Sequence, residues 1–107
     1  MRFVIQKHSR AGDETHWDLM LEDSDSLLTW RITALPSSED KTINGVKIFD
    51  HDKKFLSYEG PVNNGQGAVE ISDSGKYEIL EKQECCWTLR LAGENISGIF
   101  ELKFAVE

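Results

Sequence analysis

Two short stretches of this chain hold the side chains best suited to chemistry: Gln6-Lys7-His8 and His16-Trp17-Asp18-Leu19-Met20-Leu21-Glu22. Side chains of an extended strand alternate between faces with period two. Gln6 and His8 then share one face of a first strand, with Phe3 and Ile5 on the other. The second stretch divides the same way, with Trp17, Leu19 and Leu21 on an apolar side and His16, Asp18, Met20 and Glu22 opposite. If the two strands are neighbours, two imidazoles and a carboxylate converge on one small volume. Imidazole and carboxylate are the usual ligands of a divalent transition metal, and three protein ligands leave positions open for water or substrate. His8, His16 and Asp18 are therefore candidate metal ligands. Each alone reads more plainly as an outward polar residue on an exposed strand; their shared parity is what raises ligation beside that reading.

The elements that must position these groups are short strands. Leu28, Trp30 and Ile32 alternate with Thr29 and Arg31, and the run Leu35 to Asp40 breaks the pattern. Val46 to Phe49 forms another strand, entered through the turn signal Asn44-Gly45. Gly60 to Gly67 is the longest stretch of breakers and reads as a loop. Val69 to Ile71, an Asp73-Ser74-Gly75 turn, and Tyr77 to Leu80 follow. Trp87, Leu89 and Leu91 alternate with Thr88 and Arg90; Ala92 to Asn95 turns the chain, and Phe100, Leu102 and Phe104 complete the pattern. No window sustains a helical period. The expected fold is all-β, a closed or nearly closed antiparallel barrel of about eight strands. Its apolar faces point inward, so the His/Asp face looks out into a polar surface groove. Trp17, Trp30 and Trp87 fall on the apolar side and read as core, whereas Met20 is expected to line the groove.

The 107 residues suffice for a single core, so 1–107 reads as one domain. Twelve Lys and Arg against 19 Asp and Glu leave a net charge of −7. That counts against indiscriminate nucleic-acid binding, though not against a local basic spot. No apolar run is long enough to span a membrane, and the start of the chain is too short in apolar residues for a signal peptide. Cys85 and Cys86 are adjacent, a spacing that strains a disulfide, so they read as free thiols in a reducing compartment, the cytoplasm.

Read in order, these residues resemble the 3′-phosphoesterase domain of DNA ligase D, which also occurs as a stand-alone protein. The resemblance rests on Gln6-Lys7-His8, His16-Trp17-Asp18 ending Leu21-Glu22, Trp30 through Pro36, Asp50-His51, and Tyr58-Glu59-Gly60. It continues through Gly65 to Gly67, Asp73-Ser74-Gly75, and the closing run Leu89 to Leu102. It covers nearly the whole chain. It implies a β-barrel with a polar groove that trims 3′ ends with manganese, removing a terminal ribonucleoside and then the 3′-phosphate. The expected cofactor is Mn²⁺, with Zn²⁺ or Co²⁺ as substitutes. The expected partners are nucleic-acid 3′ ends and end-joining repair proteins, and the expected state is a monomer.

Carried onto this chain, the resemblance makes His51 a phosphate contact or general acid across the groove from the metal; its plain reading is a solvated loop histidine. Gln6 would touch the phosphate or hold a water on the metal, or be merely an exterior amide. Three family positions differ: an arginine is replaced by Met20, a tyrosine by Phe55, and a basic residue by Ile43. The spacing from His8 to His16 is also longer than in the family. Arg10, in that longer connection, is the candidate to supply the guanidinium absent at Met20, against the plainer reading of a mobile surface arginine. With the clamp thinned, slow or absent turnover is expected, rising if Met20→Arg and Phe55→Tyr restore it. The alternative reading is a non-catalytic module that binds metal or nucleic-acid ends.

Overall fold

Alternation of apolar and polar residues along nearly every segment gives strands, and the strands join into one sheet that closes on itself. The computed structural model describes residues 1–10, 12 and 15–106. Ala11, Asp13 and Glu14, part of the longer connection after His8, lie outside the described residues. The strands are β1 (Arg2–Arg10), β2 (His16–Glu22), β3 (Leu27–Ile32), β4 (Thr42–His51), β5 (Gly60–Val62), β6 (Gly67–Lys82), β7 (Cys86–Gly93) and β8 (Ser97–Val106). A 3-10 turn, Lys53–Leu56, follows β4. Among the described residues no helix is long and apolar enough to cross a membrane.

The sheet order is β1-β2-β3-β4-β8-β7-β6-β5, and β1 also pairs with β6. Hydrogen bonding thus runs round a ring of seven strands, with β5 added outside it on β6. Strands in a ring can alternate direction throughout only if their number is even. With seven, at least one pair must be parallel, and that pair is β4–β8. The purely antiparallel arrangement expected from sequence is corrected at this seam.

The ring encloses the main core, in which Phe3, Ile5, Leu19, Trp30, Leu89 and Phe100 are essentially inaccessible to solvent. Trp30 meets Trp87 edge to face at 5.1 Å between centroids. Trp17 is half-buried and packs on this core. Period-two alternation on β2, β3, β7 and β8 therefore points as read from sequence. Outside the ring lies a second apolar cluster, in which Val4, Met20 and Leu27 are covered by Phe55 and Leu56 of the 3-10 turn and by Ile71. Met20 does face outward, but its relative exposure is 0%, the same as Leu19. The expectation that Met20 lines the groove is overturned because the 3-10 turn roofs that part of the face.

Two turn signals prove to lie inside strands. Asn44-Gly45 sits within β4, where Gly45 pairs with Ile32 and with Phe104. A Cβ at Gly45 would come within 2.7 Å of the Arg31 carbonyl oxygen, so glycine serves close strand approach rather than a turn. Asp73-Ser74-Gly75 lies inside the long strand β6. Asp73 pairs with Ile5 and Ile71 with Gln6, leaving Ser72 as a bulge beside the candidate site. The Gly60 to Gly67 loop is smaller than expected, because Gly60–Val62 is β5 and the turn is confined to Asn63 through Gln66.

The Asp73 carboxylate is buried and accepts from the backbone N–H groups of Ser74, Glu94, Asn95 and Ile96 at 2.8 to 3.1 Å. It ties β6 to the β7–β8 turn. Hydrogen bonds to a charged acceptor contribute about 1.5–3 kcal/mol each, partly regained from water where the turn is wet. Asp73→Ala is expected to cost about 2–3 kcal/mol in urea unfolding followed by tryptophan fluorescence. A cost below about 0.5 kcal/mol would show that water replaces the carboxylate fully.

Candidate functional site

β1 and β2 are antiparallel neighbours, and the register sets His8 opposite His16 and Gln6 opposite Asp18. Directly opposed residues project on the same face with Cβ atoms about 4.5–5.5 Å apart. The His8 and His16 ring centroids are 4.6 Å apart at a 43° tilt. His16 Nε2 stands 3.7 Å from Asp18 Oδ1. One strand further on, Asp18 is paired with Arg31 of β3, so Gln6, Asp18 and Arg31 form a row across three strands. A cleft of about 290 Å³ lies over this row, lined by Gln6, His8, His16, Asp18, Arg31 and His51 with Phe49, Phe55 and apolar neighbours.

His51 closes β4, and its Nδ1 lies 3.1 Å from the Phe49 carbonyl oxygen. A carbonyl only accepts, so Nδ1 is the donor in this contact. The His51 ring stacks on Phe49 at 4.8 Å and 5°, with Phe55 meeting its edge at 5.8 Å. These contacts fix the imidazole plane.

Asp18 is 6% exposed. Desolvation raises its carboxyl above the ordinary value, against the opposing pull of His16, His51, Arg31 and His8. His16 is held below the ordinary imidazole value, first by desolvation, then by Arg31 and His8, with Asp18 acting in the other direction. The site therefore favours a neutral His16, the form that can donate a lone pair.

Two buried polar atoms here have no hydrogen-bond partner: His8 Nδ1 and Asp18 Oδ1. Buried polar atoms are nearly always satisfied, so a pair of orphans in one cleft calls for an explanation. A divalent cation would satisfy both, and imidazole plus carboxylate is suitable donor chemistry for one. As the side chains stand, no group of three His, Cys, Asp or Glu among the described residues is gathered closely enough to hold a metal. The donor types fit a cation, but the gathered geometry is not present.

Two residues sit differently from expectation. Gln6 lines the cleft, but its Nε2 donates to the carbonyl oxygens of Phe55 and Tyr58, both at 2.9 Å. Both amide hydrogens are thereby engaged, and Gln6, 1% exposed, anchors the segment that carries Phe55. Arg10 is paired with Gly67 and lines a separate groove with Gly60, Pro61 and Gly65 rather than the cleft. Glu59 accepts from the Ile71 N–H at 2.9 Å and holds β6 beside the bulge.

Sequence reasoning missed Arg31 as a site residue. Its outward parity was visible from Trp30 and Ile32, but its placement beside Asp18 depends on the β2–β3 register, which no local signal specifies. The Arg31 side chain is exposed and makes no hydrogen bond or ion pair among the described residues, yet its charge acts on both His16 and Asp18.

The family model of the DNA Ligase D 3′-phosphoesterase domain matches residues 6–103. Comparison with curated proteins gave no significant match.

Proposed function

We propose, from the fact that the chain belongs to the DNA ligase D 3′-phosphoesterase domain family, that it is a metal-assisted phosphoesterase acting on nucleic-acid 3′ termini. Family membership indicates a role in 3′-end processing. The observation that carries the finer reading is one cleft holding His8, His16, Asp18, His51 and Arg31 together. His8, His16 and Asp18 would hold a divalent ion, Mn²⁺ first, which when bound supplies Lewis-acid polarisation of a phosphate oxygen and a more acidic water.

The remaining work falls to this chain's own groups. Arg31 neutralises the phosphate and can engage two of its oxygens, as a planar guanidinium does. The Asp18 carboxylate lies 3.7 Å from His16 Nε2, and strand pairing places Arg31 beside it. His51, as general acid, gives a proton to the departing O3′ while water forms the new P–O bond and releases a proton to solvent. Inorganic phosphate and a 3′-hydroxyl end result. Phe49 and Phe55 hold the His51 plane during the transfer. In removal of a terminal ribonucleoside, water attacks the diester phosphorus and the O5′ of that nucleoside leaves, so that the 3′-phosphate remains for the second step. The free thiols Cys85 and Cys86 suit a reducing compartment such as the cytoplasm.

The test is release of phosphate from a 3′-phosphorylated primer-template with and without Mn²⁺, beside calorimetric titration of Mn²⁺ into wild type and His16→Ala. Release should require the metal. His16→Ala should bind Mn²⁺ more weakly by more than about 10–100-fold, the loss typical of an outer partner rather than a direct ligand. Equal metal binding by the two proteins would remove the site. Metal and end binding without release would instead identify a non-catalytic end-binding module.

A further inference from the structure

The cleft does not end at the reacting groups. Phe49 lies at its rim and is 75% exposed, the most exposed large apolar side chain among the described residues. An isolated surface phenylalanine needs no explanation. This one is held: its ring is parallel to the His51 imidazole within 5°, at 4.8 Å between centroids. One aromatic face is thus covered by a site histidine, while three quarters of the residue remains open to solvent. The stack is left with a free outer surface beside the place where a phosphate would sit.

Phe49 also borders an adjoining groove of about 460 Å³, lined by Arg31, Lys47, Ile48, Phe49 and Val106. Arg31, Ile48 and Phe49 belong to both the groove and the cleft, so the two are continuous. The chain as a whole carries −7, yet cations collect at this rim. Arg31 and Lys47 line the groove, and the Lys54 ammonium lies 5.3 Å from the centre of the Phe55 ring in the cleft wall. Lys47 is partly offset by Asp50, 3.3 Å away, whereas Arg31 has no such partner among the described residues.

A planar apolar face next to a cation, continuous with a phosphate-sized cleft, matches a nucleotide in which an unpaired base stacks and a phosphate is neutralised. Aromatic platforms with flanking cations are how proteins hold single strands without reading sequence. We propose that Phe49 is the stacking platform for an unpaired nucleobase at the 3′ end whose terminal phosphate enters the cleft. The assignment rests on the 3′-end reading above and adds its substrate form: a frayed or single-stranded terminus rather than a fully stacked duplex end. The platform is indifferent to which base it carries, because every base presents a π face.

The test measures affinity by fluorescence anisotropy in EDTA, so that binding is separated from turnover. The ligands are a single-stranded oligonucleotide with a 3′-phosphate, the same strand with a 3′-hydroxyl, and a 3′-phosphorylated strand lacking its terminal bases. Phe49→Ala should bind the first about 5- to 100-fold more weakly than wild type, the loss expected for one base–aromatic stack. Phe49→Trp should restore binding. On the strand lacking terminal bases, Phe49→Ala should lose much less affinity than it loses on the intact strand. A 2-aminopurine placed at the terminus should be quenched by wild type and not by Phe49→Ala.

Equal affinity of wild type and Phe49→Ala for the intact strand overturns the platform while leaving the 3′-end reading standing, provided wild type still prefers the 3′-phosphate. An equal loss on both strands also overturns it, since Phe49 would then act only by holding His51. Wild type that does not distinguish the 3′-phosphate from the 3′-hydroxyl overturns the 3′-end reading, and the platform with it.

Discussion

Met20→Arg is expected to destabilise the protein by about 4–8 kcal/mol rather than to restore activity. The resemblance read from the sequence implies an arginine at this position, and on that ground alone the substitution looks like a repair. In the folded chain, however, Met20 is fully buried between Val4, Leu27 and the roof formed by Phe55 and Leu56. An unpaired buried charge costs about 3–5 kcal/mol, and overpacking adds about 1–3 kcal/mol. Domains of this size have about 5–15 kcal/mol in total, so the loss would consume much of the native stability. Urea unfolding read by tryptophan fluorescence and circular dichroism measures it, with Met20→Leu as the volume-conserving control at under about 1.5 kcal/mol. A stable Met20→Arg protein would mean that the 3-10 turn lifts off readily. The guanidinium would then reach the cleft, and phosphate release would rise.

The contrast between Met20 and Asp18 shows where sequence reasoning succeeds and stops. Both lie on the outward face of β2, and period-two alternation assigns that face correctly for each. Exposure is a different matter. It depends on what the rest of the chain lays over the face, and the segment that does so, Lys53–Leu56, is too short to announce itself by periodicity. The same distinction explains the misplaced turns. Asn44-Gly45 and Asp73-Ser74-Gly75 carry turn composition, but there the glycines relieve close approach between backbones and the aspartate serves a distant hairpin. Those reasons lie in strand neighbours many residues away. The parallel β4–β8 pair was equally hidden, since it follows from the number of strands that close the ring. Local parity and a closed sheet were legible; register, the parallel seam and cover were not. For the site, parity was enough to put His8, His16 and Asp18 on one face, and the Asp50-His51 motif brought His51 into view. It could not find Arg31 or show that the Gln6 amide is already engaged.

Arg31→Ala is expected to lower metal-dependent phosphate release by about 10²–10³-fold, the usual loss for one preorganised group that stabilises charge in the transition state. The geometric reason lies in how a strand pair presents neighbours. The residue two positions along β2 from Asp18 is Met20, about 6.6 Å away by strand rise, and it is roofed over. Across the β2–β3 ladder the partner of Asp18 is Arg31, with Cβ atoms about 4.5–5.5 Å apart, and it faces open solvent. A guanidinium delivered from the neighbouring strand can therefore serve the same cleft as one delivered from further along the same strand. The exposed side chain carries no structural contact among the described residues, so stability should change by no more than about 0.5 kcal/mol. Arg31→Lys should recover only part of the rate, because an ammonium supplies charge without the planar fork. Arg10→Ala should leave the rate near wild type, since Arg10 borders a different groove. If Arg31→Ala keeps full activity and Arg10→Ala loses it, the guanidinium comes from the connection after His8. If both keep it, His51 and the bound ion neutralise the phosphate unaided.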